Sequence, residues 1–461
     1  MAKYEKYTEY KDSGIEWLGE IPSHWDSKPL KYLCTYNDEV LPETTAKDAE
    51  IQYIDIGSVS AVDGISKIET MTFKDAPSRA RRIVRDGDVI VSTVRTYLEA
   101  IAPIDNPPEN LIVSTGFAVI RPNQYLYKSF ASYCLRAKGF IKEVVARSVG
   151  VSYPAINSSE LVNITIPSIE YAEQVKIANF LDHETAKIDS LIAKQEKLIE
   201  LLKEKRQAVI SHAVTKGLNP DVNMKDSGVE WLGQVPEHWK CIKIKHITTT
   251  FEQGWSPQCD SRPAESHEYG VLKVGCVNGG SFRSSENKAL PPELEPRLQY
   301  LIQKDDLLIS RANTKELVGS ASVVNGDYPN LILCDKLYRL RFSKNVLPEM
   351  VSLYLSIGAV RKQIELGATG ASHSMQNIGQ DTIKELYYLL PPYDEALNIL
   401  ESIKQSNQKI DELTRKAESA IQLMQERRKA LISSAVTGKI DVRNWQNQNH
   451  NNNEANTELG A

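Results

Sequence analysis

Residues 173–215 read EQVKIANFLDHETAKIDSLIAKQEKLIELLKEKRQAVISHAVT, with no glycine and no proline. Leu181, Ile188, Gln195, Leu202 and Val209 recur every seven residues, and Leu191 and Leu198 stand three residues after two of them. That spacing is a heptad seam, interrupted by the polar Gln195. Ile192 and Ile199 widen the stripe beyond a two-stranded seam, which leaves room for a second partner surface. At about 1.5 Å per residue the helix is about 60 Å long. It cannot bury such a stripe by itself.

Its partner is in the same chain. A shift of 222 residues places Ile403, Ile410, Ala417, Met424 and Leu431 on the same seam, with Leu413 and Ala420 in the places of Leu191 and Leu198. Arg206, Ile210, Ala213, Val214 and Thr215 return as Arg428, Ile432, Ala435, Val436 and Thr437. Upstream of each helix stands a second repeat. Lys11–Trp25, KDSGIEWLGEIPSHW, returns at Lys225–Trp239 as KDSGVEWLGQVPEHW, identical at eleven of fifteen positions. The chain is a tandem duplication, and its period is too long for a solenoid.

Between motif and helix lies one variable region per copy, from about Asp26 to Pro167 and from about Lys240 to Pro391. Gln52–Val59 parallels Val271–Val277, Asp86–Arg95 parallels Lys304–Asn313, and Asn110–Pro122 parallels Asn330–Phe342. Each is an apolar or β-branched run bounded by turn residues, hence a strand candidate. Tyr127–Val145 and Pro348–Leu366 read as helices, each followed by a Gly-Ser turn (148–157 and 367–377). Gly217 and Gly438 stand where helix stops belong. The fold expected is α/β (α+β): two similar β-rich domains joined by two long antiparallel helices, with pseudo-two-fold duplication. The domain divisions are 1–170, 171–218, 219–392 and 393–440, followed by an Asn-rich tail at 441–461 expected to be disordered.

At 461 residues, 41% hydrophobic and 25% charged, the composition is that of a soluble protein with several cores. No apolar run approaches a membrane span, and the polar N-terminus is unlike a secretory signal. Six cysteines without a C-x-x-C pair or metal spacing read as free thiols in a reducing cytoplasm. The net charge of −5 is unusual for a protein that binds nucleic acid alone, so any such role needs local basic surface or charge from partners.

Enzyme signatures are missing. The sequence contains no phosphate-binding glycine loop, no G-x-S-x-G and no H-E-x-x-H. Leu390-Pro391-Pro392-Tyr393 resembles the (Asn/Asp)-Pro-Pro-Tyr motif of amino-methyltransferases. Those enzymes need a leading hydrogen-bond acceptor for the target amine, which Leu390 cannot provide; a proline turn before a helix is the reading adopted. His24 and His238, next to Trp25 and Trp239, read as packed, hydrogen-bonded groups, and Trp17, Trp231, Trp25 and Trp239 as anchors. No catalytic or metal-binding constellation is expected.

Nucleic-acid features are diffuse. Arg79, Arg81, Arg82 and Arg85 form a basic cluster suited either to phosphate contacts or to a solvated face. Arg95, Thr96 and Tyr97 share a loop matched by Arg311, Asn313 and Lys315. Ser152, Tyr153 and Asn157 are matched by Ser372, His373, Gln376 and Asn377. Trp255 occupies a loop of the second copy alone. Arg suits guanine and Asn suits adenine, although loops of this composition are commonplace. The long helices carry equal acidic and basic charge and so read as a spacer and a docking rail. Their contact residues are Leu181, Ile188, Leu191, Ile192, Leu198, Ile199, Leu202, Ile403, Ile410, Leu413, Met424 and Leu431.

The K-D-S-G-[IV]-E-W-L-G-x-[IV]-P-x-H-W motif at 11–25 and 225–239, the two variable regions and the helix ends [KQ]-E-[KR]-R-x-A-[LV]-I at 203–210 and 425–432 resemble the specificity subunit of type I restriction–modification systems. The resemblance implies two target recognition domains, each reading one half of an asymmetric bipartite site in double-stranded DNA, with the helix pair as a ruler. It implies two modification subunits forming an adenine-N6 methyltransferase that uses S-adenosylmethionine, and restriction subunits that use ATP and magnesium. No cofactor and no catalysis are implied for this chain. A coiled-coil scaffold that binds only proteins is the alternative.

Overall fold

The computed structural model describes residues 4–61, 64–372 and 375–446. Two compact units form: Met1–Glu196 with Glu418–Ala461, and Lys197–Ala417. Both long helices, Tyr171–Lys216 and Tyr393–Val436, are cut near their middles by this division, so each unit takes half of each helix. A linear reading, with domains ending where helices begin, does not capture that exchange. Among the described residues no helix is long and apolar enough to cross a membrane.

In the first unit Ile101–Pro103, Val89–Ser92, Phe117–Pro122 and Cys34–Tyr36 form an antiparallel sheet in that order. Glu69–Thr72, Glu50–Ile54, Leu111–Ser114 and Ala80–Ile83 form a mixed sheet, with Gln52–Ile54 parallel to Leu111–Val113. The run Val89–Ser92 is buried at every position, as a strand covered on both faces requires. Its entry is fixed by Asp88, which accepts the Arg85 backbone N–H at 2.7 Å and is clamped by Arg121 at 2.9 and 2.8 Å. In the second unit Thr248–Gln253, Leu337–Phe342, Leu307–Ser310 and Ala321–Val323 make the corresponding sheet. Asp306 does there what Asp88 does, accepting the Gln303 N–H at 2.9 Å and pairing with Arg341.

Two expected elements are broken. The runs 52–59 and 271–277 are short strands followed by 3-10 turns at Ile56–Ser58 and Val274–Val277, each containing a glycine, a poor strand former. The expected single helices divide into Lys128–Leu135 with Lys138–Ala146, and Pro348–Ser356 with Gly358–Leu366. Ala137 and Ile357 are buried in extended backbone at the breaks. The turn lets Phe140 and Val144, or Val360 and Ile364, face the core.

The long helices pack antiparallel, but the seam differs from the expected one. Leu181, Ile188, Leu202, Ile403, Ile410, Ala417 and Leu431 are buried and Met424 is partly buried, as a seam requires. Leu191, Leu198 and Leu413 are 49%, 39% and 48% exposed. The inward companions are instead the residues four further on: Ile192 packs on the first unit's core, and Ile199 is half-buried. At 3.6 residues per turn, i+4 lies about 40° from the seam centre and i+3 about 60° away, so the nearer neighbour turns in. Arg428 donates to both oxygens of Asp189 at 2.8 and 3.3 Å. The pair Arg206 and Asp411, equivalent under the 222-residue shift, is made in the second unit.

The tail expected from residue 441 is ordered as far as it is described. Val442 is buried in the first unit's core, and Trp445 packs edge-on against Phe180 at 5.6 Å. Residues 447–461 lie outside the described part.

Candidate nucleic-acid interface

The duplicated motif is a socket for the long helices. Glu173, in the first turn of its helix, accepts the Tyr7 hydroxyl at 2.7 Å and the Trp25 indole N–H at 3.2 Å, and its other oxygen lies 3.0 Å from His24 Nε2. Glu395, its equivalent, takes Trp239 at 3.1 Å and His238 at 2.7 Å. Both tryptophans are fully buried, each contributing on the order of 5 kcal/mol of apolar burial. Each socket also receives the end of the other copy's helix. Gly438, at φ +72°, lies against Pro22 and Trp25, where a Cβ would come within 2.3 Å of Pro22 Cδ. Gly217, at φ +75°, lies against Trp239 and Glu395. Trp25 and Trp239 are thus packed anchors, while His24 and His238 are hydrogen-bonded to the same carboxylates from exposed positions. Leu390 closes the strand Tyr387–Leu390, and the next helix starts at Tyr393, so the two prolines form the turn between them.

At one corner of the first unit two loops, separate in sequence, become one surface. Ala155 bridges both Val94 and Val149, and the Ile156 N–H donates to Thr93 O at 2.9 Å. Arg95 and Glu99, at φ 51° and 53°, flank the 3-10 turn Thr96–Leu98. Left-handed backbone at a non-glycine residue costs on the order of 1 kcal/mol and tends to mark functional loops. The Arg95 guanidinium lies 4.8 Å over the Tyr153 ring. Arg95, Tyr97, Ser152, Tyr153 and Asn157 are exposed. Thr96 is buried, and its hydroxyl is engaged with Ser148 at 2.8 Å, so it faces inward. The sequence reading omitted Leu98, Val149 and Val151, which are exposed here. The signal available was two valines flanking a glycine in a loop.

The second unit builds the same corner more heavily. The strand Ala312–Asn313 pairs with Met375–Ile378, which pairs with Ala368–Ser372. The Ile378 N–H donates to Arg311 O at 3.0 Å, as Ile156 does to Thr93. Asn313 donates to Asn278 Oδ1 at 3.1 Å, and half-buried Arg311 lies against Asp335 O at 3.4 Å. Lys315 is exposed, while Gln376 and Asn377 are half-buried in the ladder. Ser372 ends its strand; His373 is outside the described residues. Trp255 packs on a core that includes Val271, Leu272 and Ile332, and the Arg297 guanidinium lies 4.5 Å from its ring.

The arginine cluster is dispersed. Arg79 pairs with Asp55 at 2.9 Å and is held above its usual pKa by Tyr53 and Asp55. Arg81 covers the Phe73 ring at 4.7 Å. Arg82 is half-buried, its Nε without a partner and its pKa lowered by burial. Arg85 pairs with Glu39 at 2.8 Å. All six cysteines are free thiols, and burial pushes Cys34 and Cys334 up to about 12.

A groove of about 980 Å³ in the first unit is lined by Trp17, Ile141, Lys142, Arg428, Lys429 and Ile432, among others. It joins the motif to the second long helix.

Residues 22–201 match the family model described as the type I restriction modification DNA specificity domain. The chain is 26% identical over 338 residues to the type I restriction enzyme EcoKI specificity subunit of Escherichia coli K12, covering 72% of this chain and 69% of that one. It is 24% identical over 460 residues to the putative type I restriction enzyme MjaX specificity subunit of Methanocaldococcus jannaschii, 96% and 99% of the two chains. In fold it is similar to a chain solved in work on assembly and conformational transition of the type I R-M system, with a TM-score of 0.68, 21% identity, and 91% and 99% coverage. Residues 22–201 thus carry a type I restriction modification DNA specificity domain, and over most of its length the chain is similar to type I restriction enzyme specificity subunits.

Proposed function

We propose that this chain is the sequence-reading subunit of a type I restriction–modification complex. Each variable domain reads one half of a bipartite site in double-stranded DNA, through the loop corner at 93–99 with 148–157 and the corner at 311–315 with 368–378. The observation that carries this reading is the duplicated frame under unlike corners. The same Glu–Trp–His socket and the same buried Asp–Arg clamp recur in both units. Ser152 and Asn157 recur as Ser372 and Asn377, but Arg95, Tyr97 and Tyr153 correspond to Asn313, Lys315 and His373 in the matched positions, which suits two readers of different sequences on one scaffold.

In this reading the chain supplies recognition and no catalysis. Two modification subunits dock on the helices and the groove beside Trp17, and bring adenine-N6 methylation with S-adenosylmethionine. Restriction subunits, using ATP and magnesium, join that complex. The partners' positive surface accounts for binding DNA with a net charge of −5 on this chain. The test is binding of the complex with modification subunits to duplex DNA at two salt concentrations, together with genome-wide mapping of N6-methyladenine with and without the gene. DNA binding weakens steeply with salt. A complex that assembles without salt-sensitive DNA binding, in cells whose methylation is unchanged by loss of the gene, would be a protein scaffold instead.

A further inference from the structure

The first unit's corner has an apolar tip that its own core does not use. Val149 is 79% exposed, Val151 is wholly exposed, and Leu98 and Tyr153 stand in solvent beside them. Single exposed aliphatic residues are ordinary. Here several stand on two loops locked together by the Ala155 bridges and the Thr96–Ser148 hydrogen bond, so the tip is presented on fixed backbone. A cation is fixed with it. Arg95 stacks on Tyr153 and makes no ion pair among the described residues. The nearby acids are engaged elsewhere: Glu143 holds Arg147 at 3.1 Å, and Glu99 lies 3.9 Å from Lys429.

An apolar centre with an unneutralised guanidinium at its edge complements a surface that carries phosphate beside a methyl group. Duplex DNA offers such a surface without unstacking: the thymine 5-methyl in the major groove, flanked by backbone phosphates. We propose that Val149 and Val151 contact thymine methyl groups in the half-site bound by the first unit, with Arg95 on an adjacent phosphate. This rests on the DNA-reading function proposed above and assigns part of that half-site's specificity to side chains without hydrogen-bonding groups.

The test uses the full chain in complex with its modification subunits, on duplexes carrying the sequence its methylation map defines. Each thymine is replaced in turn by uracil, which lacks only the methyl. Uracil at one or two positions of one half-site weakens binding about threefold to fourfold, the worth of one buried methyl. The double variant Val149→Ser with Val151→Ser binds thymine and uracil duplexes equally at those positions and keeps every thymine effect in the other half-site. Val151→Ala alone shrinks the difference.

Specific binding that is indifferent to uracil throughout overturns the inference and leaves the DNA reading standing. So does thymine discrimination that survives the double variant. Loss of a modification subunit from the double variant overturns it in favour of a protein contact at the tip. Binding without sequence preference overturns the DNA reading and this inference together.

Discussion

Replacing Glu173 by alanine tests whether the socket holds the helix, and the structure sets the size of the effect. The carboxylate satisfies the Tyr7 hydroxyl and the Trp25 indole N–H, on residues that are 5% and 0% exposed. A buried donor left without a partner costs about 1–3 kcal/mol. The two donors share one acceptor, so their losses are not additive, and the expected cost is on the order of 3 kcal/mol. The half-exposed His24 adds little. Glu395→Ala is milder, on the order of 1–2 kcal/mol, because only Trp239 loses a buried bond. The position aligned with Tyr7 is Asp221, which is exposed.

Hydrogen exchange read by mass spectrometry gives the comparison within one molecule. In Glu173→Ala the amides of residues 18–25 lose about a hundredfold in protection while those of 232–239 are unchanged. Glu395→Ala gives the reverse, with a smaller loss. Glu173→Gln, which retains an acceptor oxygen, recovers part of the protection. Equal losses in the two alanine variants, or a change below about 0.5 kcal/mol in Glu173→Ala, would refute the socket energetics.

Leu191→Asp with Leu198→Asp leaves the thermal melt within a degree or two but lowers recovery of modification subunits in co-purification, since both leucines face solvent. Ile192→Asp lowers the melt itself, because Ile192 packs on the core. Asp88→Ala costs about 1–3 kcal/mol in urea unfolding, because the Arg85 N–H and Arg121 lose their buried acceptor while Arg121 keeps Glu39. Asp441 is held below its ordinary value of 3.8 by the hydrogen bond from Arg443. Its lowered pKa makes its contribution complete above the ordinary carboxylate range and lost as pH falls below it. Trp445 emission is therefore steady at neutral pH and changes only in strong acid, whereas Asp441→Asn shows the change at pH 7. Four residues inserted at matched points in both long helices add about 6 Å, roughly two base pairs of rise. Methylation mapping then shows a longer spacer between unchanged half-sites; altered half-sites with the old spacer would sink the ruler.

What the sequence disclosed follows from what repeats. The fifteen-residue motif and the 222-residue shift made the duplication and the helix pair legible, because both copies must meet the same packing demand. The shift could even pair Asp189 with Asp411 and Arg206 with Arg428, although it could not say which acid meets which base. The companions of the seam were misjudged because Leu191 and Ile192, or Leu198 and Ile199, are adjacent apolar residues. Composition does not separate i+3 from i+4; the packing geometry does. The exchange of helix halves between units was hidden for a different reason. It goes with Gly217 and Gly438, which let each helix end approach a tryptophan of the other copy, Gly217 against Trp239 and Gly438 against Trp25.

The corners were least legible, and the cause is specific. Arg95 and Tyr153 were selected separately for their chemistry, but only backbone pairing through Ala155 makes them neighbours. Selecting residues by hydrogen-bonding capacity also favoured Thr96, which spends its hydroxyl on Ser148, and passed over Val149 and Val151, which have none. The same bias picked out four arginines as a basic patch. Two are neutralised by carboxylates, one covers a phenylalanine and one is half-buried. Burial consumes polar groups that a sequence presents as available, and a fixed loop can present apolar ones that a sequence presents as core. At the first unit's corner the exposed side chains are Arg95, Tyr97, Ser152, Tyr153, Asn157 and the aliphatic tip, whereas a charge-based search leads to the arginines in and beside the strand Ala80–Ile83, in the other sheet.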